Sequence, residues 1–188
     1  MTMPDTANDR PGGETGSQET DSPRIYAACL AAYNNGHLHG RWIDATQDAE
    51  GIQAEIAEML AASPIPDSEE WAIHDYEGFA GAKLNEYLGI EKVVALAAFI
   101  VERGELGAKV LEHVGGDLDD AEAAFEEYAG QHKGLADFAQ EITEETTEIP
   151  ENLANYINYA AIARDMELNG DVFTVELGFD EVHVFWSR

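Results

Sequence analysis

Hydrophobic positions between residues 24 and 80 follow strand-like patterns at three places. The stretch RIYAACLAAY, residues 24–33, contains β-branched and aromatic side chains that suit a strand. After the loop NNGHLHG, in which Asn and Gly accept positive φ, residues 41–45 (RWIDA) have a second such pattern. In EEWAIHDYEGF, residues 69–79, apolar and polar positions alternate with the two-residue period of a strand. The pattern predicts three strands.

One amphipathic helix is predicted between the second and third strands. Thr46 can cap its N-terminus through its side-chain oxygen, and the segment SPIPDS ends it. Strands and helix together make a small ββαβ unit over residues 24–80. The apolar positions of the helix recur at i, i+4, i+7 and i+8, at Ile52, Ile56, Met59 and Leu60.

The chain is helical in character from about residue 82 to 165. Gly104 and Gly115 each end a helical pattern, as glycine often does at a helix C-terminus. Two alternating runs around GFDE then predict a β-hairpin over residues 171–186. We expect five helices before this hairpin, at 91–104, 105–116, 115–130, 134–146 and 151–170.

These elements place the protein in the α+β class, with a small N-terminal ββαβ domain, a central helical domain, and C-terminal acidic helices with a β-hairpin. The N-terminal tail is rich in Pro, Gly, Asp, Glu, Thr and Ser, so we expect it to be disordered. The predicted boundaries are 1–23 for the tail, 24–80 for the N-terminal domain, 81–116 for the central domain and 117–188 for the C-terminal part.

The segment GGDLDDAEAAFEEYAG, residues 115–130, carries six carboxylates and no basic residue. Like charges one turn apart, such as Glu122 and Glu126, cost about 0.2–0.5 kcal/mol per pair. At 100° per residue, the apolar side chains fall on one stripe and the acids fall on a broad outer arc. The helix can therefore pack while it presents its acids to solvent. Three aromatic residues are expected to pack and hold these helices: Phe125, Tyr128 and Phe138.

Charge distinguishes this chain from an ordinary globular protein. Its formal net charge is −28 over 188 residues, with 10 Lys and Arg against 38 Asp and Glu. Its apolar fraction of 45% is ordinary, so the chain can still build a core. Nucleic acids and anionic membranes are bound through Lys and Arg, and we expect neither as a partner. A cationic partner, a divalent metal or a high-salt environment fits the charge.

The acidic segment approaches the charge density of DNA. Its six carboxylates, from Asp117 to Glu127, cover roughly 15 Å of helix, or about one charge per 2.5 Å. Duplex DNA carries about one charge per 1.7 Å of axis. Composition alone leaves two interpretations open. The acids can reflect salt adaptation or generic solubility, or they can mimic a phosphate backbone.

No motif makes a positive case for catalysis or a dedicated metal site. A calcium loop starting at Asp117 would need Gly at its sixth position and Glu at its twelfth, where the chain has Glu122 and Tyr128. His37 and His39 have a spacing that can bring two ligands together on a strand, but their Gly-rich surroundings favour surface polar residues. We expect no enzymatic activity, no cofactor and no metal.

The N-terminus lacks the apolar core of a signal peptide. The longest apolar run, residues 93–101, is too short to span a membrane. Cys29 is the only cysteine, so no intramolecular disulfide can form, and its apolar surroundings predict a small core residue. We expect a soluble cytoplasmic protein.

Four segments resemble ArdA-type antirestriction proteins. RIYAACLAAYNNGHLHGRWIDA (24–45) and EEWAIHDYEGF (69–79) resemble the first domain of that family. LDDAEAAFEEYAGQHKGLADFAQEI (118–142) is similar to its antirestriction motif, and DVFTVELGFDEVHVFW (171–186) to its C-terminal end. The resemblance covers about residues 24–188 and leaves the N-terminal tail outside.

The resemblance implies an elongated, three-domain, dimeric protein carried on plasmids, transposons and phages. Such proteins mimic B-form DNA and occupy the DNA-binding groove of type I restriction–modification enzymes, at their DNA-recognition and methyltransferase core, blocking cleavage and sometimes modification. An acidic chaperone or regulator of basic DNA-binding proteins remains the alternative. The candidate phosphate surrogates are Asp117, Asp119, Asp120, Glu122, Glu126, Glu127, Asp137, Glu141, Glu144 and Glu145.

One segment departs from the family pattern. QHKG, residues 131–134, places His132 and Lys133 among the acids, where the family more often has polar or acidic residues. The overall charge still matches the scale of a restriction-enzyme footprint. If each of 28 net charges replaced one phosphate, they would correspond to about 48 Å of duplex, or roughly 14 base pairs. That length requires an extended molecule.

Overall fold

The computed structural model describes residues 22–187. The predicted disordered tail, 1–23, lies outside the described residues except for its last two positions. Helices and two small antiparallel sheets confirm the α+β class. The strands are β1 Arg24–Cys29, β2 Gly40–Asp44, β3 Trp71–Glu77, β4 Tyr128–His132, β5 Val172–Gly178 and β6 Glu181–Trp186. The helices are α1 Leu30–Asn34, α2 Ala49–Ala61, α3 Ile90–His113, α4 Leu118–Glu126, α5 Leu135–Thr146, α6 Glu151–Ala154 and α7 Tyr159–Asn169.

The first sheet has the order β2-β1-β3, with both pairings antiparallel. Helix α2 lies between β2 and β3 in the chain, so the predicted ββαβ arrangement is confirmed, with the short α1 added. Ile25, Ile43 and Ile73 of the sheet are buried in one cluster with Ile52 and Ile56 of α2. The helix therefore covers the sheet through the apolar stripe that its sequence spacing predicts.

The first predicted strand is shorter than its sequence suggests. It ends at Cys29, and residues Leu30–Asn34 form one helical turn. The thiol of Cys29 accepts a hydrogen bond from Ala32 N at 3.4 Å, which places this cysteine at the N-cap of α1. Its side chain is fully buried, as predicted for a small core residue. A sulfur cap is outside the usual capping signals, so the turn was missed.

The predicted cap of α2 was wrong by two residues. Asp48, not Thr46, is the N-cap, and its carboxylate accepts a hydrogen bond from Gly51 N at 2.8 Å. Thr46 instead donates its hydroxyl and its backbone N–H to Asp44 Oδ1, at 2.7 and 2.8 Å. Its side chain therefore belongs to the turn before the helix, which the Asp44 carboxylate stabilises by accepting both hydrogen bonds.

Helix α3 contains the break that its glycine predicts. Gly104 has φ 58° and ψ −142°, a conformation outside the helical region, and it separates the two predicted helices within the span Ile90–His113. Gly115, with φ +80°, follows the end of the second half. Both positions need positive φ, which glycine adopts without steric cost. None of the helices within residues 22–187 is long and apolar enough to cross a membrane.

The second sheet has the order β4-β6-β5, and its central strand belongs to the predicted C-terminal hairpin. The hairpin is confirmed as β5 and β6. Strand β4 was missed: the helix predicted over residues 115–130 ends at Glu126, and Tyr128–His132 pairs with β6 instead. The five residues of β4 are too few to show a clear alternation, and their pairing partners lie 50 to 57 positions further along the chain.

The last predicted helix, residues 151–170, is two helices rather than one. A single turn, α6, ends at Ala154, and α7 begins at Tyr159. Asn158 caps α7 by accepting a hydrogen bond from Ala161 N at 3.1 Å. Asparagine side chains favour caps over helix interiors, because they bond to nearby backbone donors. Gly170 then ends α7 in the left-handed conformation.

Helices cover both faces of the second sheet. Successive residues of β6 point to opposite faces, so Phe185 joins a large buried cluster with α3 residues while Val182 and Val184 join a smaller cluster with Phe138 of α5. Helices α3 and α4 lie on the first face, and α5 and α7 on the second. The larger cluster also contains Ile25 of the first sheet. The elongated, three-domain layout stays a prediction.

Candidate partner-binding surface

Asp117 begins the acidic helix α4 as its N-cap. Its Oδ1 accepts hydrogen bonds from Asp119 N at 3.0 Å and Asp120 N at 3.1 Å. The first turn then carries two further acids, which the positive end of the helix dipole stabilises. Three carboxylates are thus tolerated at this end of α4, because the first backbone N–H groups of the helix have no intrahelical acceptor and give the N-terminus a partial positive charge.

Phe125 attaches α4 to the rest of the molecule. Its ring contacts Phe99 of α3 and Phe185 of β6 edge to face, with centroids 5.7 and 5.5 Å apart. The Arg103 guanidinium lies over the same ring, 4.6 Å from its centroid. Ala121, one turn earlier, is fully buried. The apolar stripe predicted from the helical wheel therefore faces the core, and the packing role expected of Phe125 is confirmed.

Tyr128 packs although part of its ring is exposed. The ring lies 5.0 Å from Phe185, and the hydroxyl is 2.7 Å from Nδ1 of the buried His183. Burial raises the pKa of the Tyr128 phenol above its usual value. Tyr128 is the first residue of β4 rather than part of the predicted helix. Its contacts with Phe185 and His183 attach the segment that follows α4 to the central strand of the sheet.

The acids of α4 face solvent. Asp119, Asp120, Glu122 and Glu126 are all exposed, as the wheel predicts. Glu127 is half-buried at the helix end, and its backbone carbonyl accepts a hydrogen bond from Trp186 N at 2.9 Å. Glu127 thus sits at the junction of α4 with the sheet.

The four candidate acids on α5, which are Asp137, Glu141, Glu144 and Glu145, are exposed as well. The opposite side of α5 is anchored by Phe138, which is buried against Trp186 and the ring of His132, with centroids 5.4 and 5.1 Å apart. This contact confirms the packing role predicted for Phe138. We call the candidate acids of the two helices the α4 acids (117–127) and the α5 acids (137–145).

The structure does not gather the ten acids on one helix face. Because α4 and α5 cover opposite faces of the second sheet, the α4 acids and the α5 acids belong to two different layers. If each helix axis lies about 10 Å from the plane of the sheet, the two axes are roughly 20 Å apart. The candidate surface therefore consists of two acidic ridges with a sheet between them.

Basic side chains do not neutralise these ridges. Leaving Glu127 aside, no candidate acid forms an ion pair with Lys or Arg within the described residues. Glu141 has His132 Nδ1 at 3.6 Å, a contact that is ionic only when that histidine is protonated. In the N-terminal part, by contrast, Arg41 pairs with Glu58 at 3.0 Å. Apart from Glu127, the candidate acids of α4 and α5 thus keep their charge without a Lys or Arg partner in the described residues.

A family model described as Antirestriction protein (ArdA) matches residues 25–181. The chain belongs to the ArdA antirestriction protein family. The match runs from the second residue of β1 to the first residue of β6, so it contains both acidic ridges but only the first residue of the central strand of the second sheet. A comparison with curated proteins found no match. Antirestriction is the function that membership of the ArdA family supports.

Glu144 has a local environment that the sequence did not reveal. Gln140 Nε2 and the Tyr159 hydroxyl both donate to its Oε1, at 2.9 and 3.0 Å. The Gln140 contact follows from i, i+4 spacing on a helix and could have been predicted. The Tyr159 contact depends on the packing of α7 against α5, which spacing alone does not give. Tyr156, in the short loop between α6 and α7, is 84% exposed and so is not a core residue.

Within residues 22–187, no group of three or more His, Cys, Asp or Glu side chains is arranged to hold a metal ion. His39 Nε2 lies 2.7 Å from the Met59 carbonyl oxygen, so this half-buried histidine has a structural contact, whereas His37 is exposed. The two histidines flagged in the sequence thus differ in surroundings.

Proposed function

We propose that this ArdA-family protein inhibits restriction by mimicking B-form DNA, without catalysis. It would occupy the DNA-binding groove of a type I restriction–modification enzyme, at the DNA-recognition and methyltransferase core. The observation that carries this proposal is the dense array of exposed carboxylates on α4 and α5, none of which pairs with a Lys or Arg of the described residues. A groove built to bind phosphates presents Lys and Arg, and these ridges offer matching anions.

The two-layer arrangement supports mimicry better than a single acidic helix would. A duplex carries its phosphates on two strands, so a surrogate needs two rows of negative charge held apart. Here the β4-β6-β5 sheet separates the α4 acids from the α5 acids. Rigid packing around Phe125 and Phe138 fixes each ridge, which lowers the ordering cost of binding.

Several finer properties belong to the same proposal. Inhibition of modification as well as cleavage would follow if the methyltransferase core itself is occupied. A homodimer would double the charged length, and a cytoplasmic location would bring the protein to its target. Carriage on a mobile genetic element would explain why a chain benefits from blocking restriction of incoming DNA.

A restriction assay tests the proposal. Unmodified plasmid with a target site is incubated with a purified type I enzyme and increasing amounts of the protein. We expect cleavage to stop as the protein reaches excess, while a restriction endonuclease of another type, assayed in parallel, keeps cutting. Cleavage by the type I enzyme that is unchanged at large molar excess would sink the proposal.

The alternative, an acidic chaperone for basic DNA-binding proteins, is separated by a pull-down. The immobilised protein is offered the type I methyltransferase core and a small basic nucleoid protein at equal concentration and moderate salt. The proposal expects retention of the methyltransferase core. Retention of the basic protein alone indicates the chaperone. Simple salt adaptation instead predicts that the fold is lost at low salt and that neither partner is retained.

A further inference from the structure

Two side chains hold the carboxylate of Glu144, whereas its equally exposed neighbour Glu145 has no such support within residues 22–187. Gln140, one turn earlier on α5, donates its amide to Oε1 at 2.9 Å, and Tyr159 donates its hydroxyl to the same oxygen at 3.0 Å. The second contact joins two elements, because Tyr159 is the first residue of α7. Glu144 is therefore fixed from its own helix and from the helix packed beside it.

A fixed carboxylate binds a cation at lower cost than a mobile one. A free glutamate side chain loses rotamer freedom when it is immobilised in an interface. Tyr159 is half-buried between α7 and α5, and its aromatic ring has few rotatable bonds to order. Its hydroxyl is thus a rigid donor that orders Glu144 before any partner arrives.

The hydrogen bonds leave half of the carboxylate available. Both donors converge on Oε1, and no hydrogen bond to Oε2 forms within the described residues. Both donors are neutral, so the negative charge stays on Glu144. An oriented, charged oxygen with open lone pairs is the acceptor that a guanidinium or ammonium group requires.

We propose that Tyr159 is a positioning residue, which orients Glu144 so that this acid binds a Lys or Arg side chain of the restriction enzyme more strongly than unsupported acids beside it. This inference rests on the proposed function and deepens it. Glu144 would then contribute more to the binding energy than the other α5 acids, because its side chain is already ordered before the enzyme binds.

The phenol of Tyr159 offers a direct probe of the contact. Desolvation raises the pKa of Tyr159 above its usual value near 10, and the hydrogen bond to Glu144 and its negative charge raise the pKa further. Because the folded pKa exceeds the unfolded one, the contact stabilises the protein below about pH 10 and is lost as pH rises through the folded value. Ionised Tyr159 can no longer donate to Glu144.

The binding test compares four single variants and one double variant in inhibition of a purified type I enzyme. Tyr159→Phe removes only the hydroxyl, and Tyr156→Phe is its matched control, since Tyr156 is 84% exposed and without a hydroxyl partner in the described chain. We expect Y159F and E144Q each to weaken inhibition by about twofold to tenfold. Y156F should match wild type, and E145Q should lose less than E144Q. The Y159F/E144Q double variant should be no weaker than E144Q.

An ultraviolet difference titration of wild type against Y159F isolates the Tyr159 phenol. We expect E144Q to lower its pKa toward 10 and E145Q to leave it nearly unchanged. An unaltered titration in E144Q overturns the inference, and so does wild-type inhibition by Y159F. If wild type itself fails to inhibit, the proposed function is wrong, and the titration then shows separately whether Tyr159 holds Glu144.

Discussion

Among single residues, some acids of this protein make structural hydrogen bonds, and others only present charge to solvent. Asp117 caps α4 through Oδ1, and Glu144 is held by Gln140 and Tyr159, so both have structural partners. Glu122 and Glu126, in contrast, are exposed on α4 and repel each other across one turn. Substitution of an acid therefore changes charge alone at some positions, and charge together with stability at others.

Asp117 separates these two effects. Asp117→Ala removes the cap and should lower the free energy of unfolding by about 0.5–2 kcal/mol. Asp117→Asn keeps a capping oxygen and should lower it less, although both variants lose the same charge. Urea unfolding of the two proteins measures the difference. Equal stability of D117A and wild type would show that α4 does not depend on this cap.

Phe185 is a core residue against which α4 packs. It is fully buried, stacks on Phe173 with centroids 4.8 Å apart and contacts Phe125 edge to face. Phe185→Ala should lower the free energy of unfolding by about 3–5 kcal/mol, because it leaves a cavity among aromatic rings. The matched control is Phe179→Ala in the hairpin turn, where the ring is 96% exposed, with an expected change within about 0.5 kcal/mol. Similar losses in both variants would contradict the assigned core.

At the scale of elements, α4 combines an apolar stripe with an acidic outer face. The variant D119N/D120N/E122Q/E126Q neutralises its exposed acids and keeps the Asp117 cap and the Phe125 contact. We expect a folded protein, because helix propensities change little, and a clear loss of inhibition of the type I enzyme. Single neutralisations of these four acids should each have little effect, since the charge is distributed.

The control for this variant changes the same number of charges outside the family match. D5N/D9N/E14Q/E19Q alters four acids that precede residue 25, where the match begins. We expect it to inhibit like wild type at every salt concentration. Equal losses in the two quadruple variants would mean that net charge alone governs inhibition and that the α4 surface has no special role.

Local patterns predicted those elements whose stabilising contacts are also local. The alternation in residues 69–79 predicted β3, the spacing from Ile52 onward predicted α2, and the wheel placed the α4 acids outside. Strand β4 could not be predicted this way, because it forms by pairing with β6, which is distant in the chain. The helical pattern of α4 also continues up to the first residue of β4. The Glu144–Tyr159 contact was missed for the same reason, since it needs the packing of α7 on α5.

At the scale of the whole molecule, charge is the dominant property. A net charge of −28 favours association with a basic groove and makes the association sensitive to ionic strength, because screening shortens the reach of exposed charges. Repulsion between the acids is limited because the candidate acids lie mostly exposed to solvent, on helices that cover opposite faces of the second sheet. If the proposed mimicry holds, antirestriction through this surface would need only binding.

We propose that the protein takes the place of DNA on a type I enzyme, and a competition titration tests this directly. Fluorescent duplex DNA bound to the purified methyltransferase core is titrated with the protein at several salt concentrations, with the mass in solution measured alongside. We expect the protein to displace the DNA fully by simple competition. Its affinity should fall steeply as salt rises, as the affinity of DNA itself does. A ternary complex of enzyme, DNA and protein, or no displacement at low salt, would contradict it.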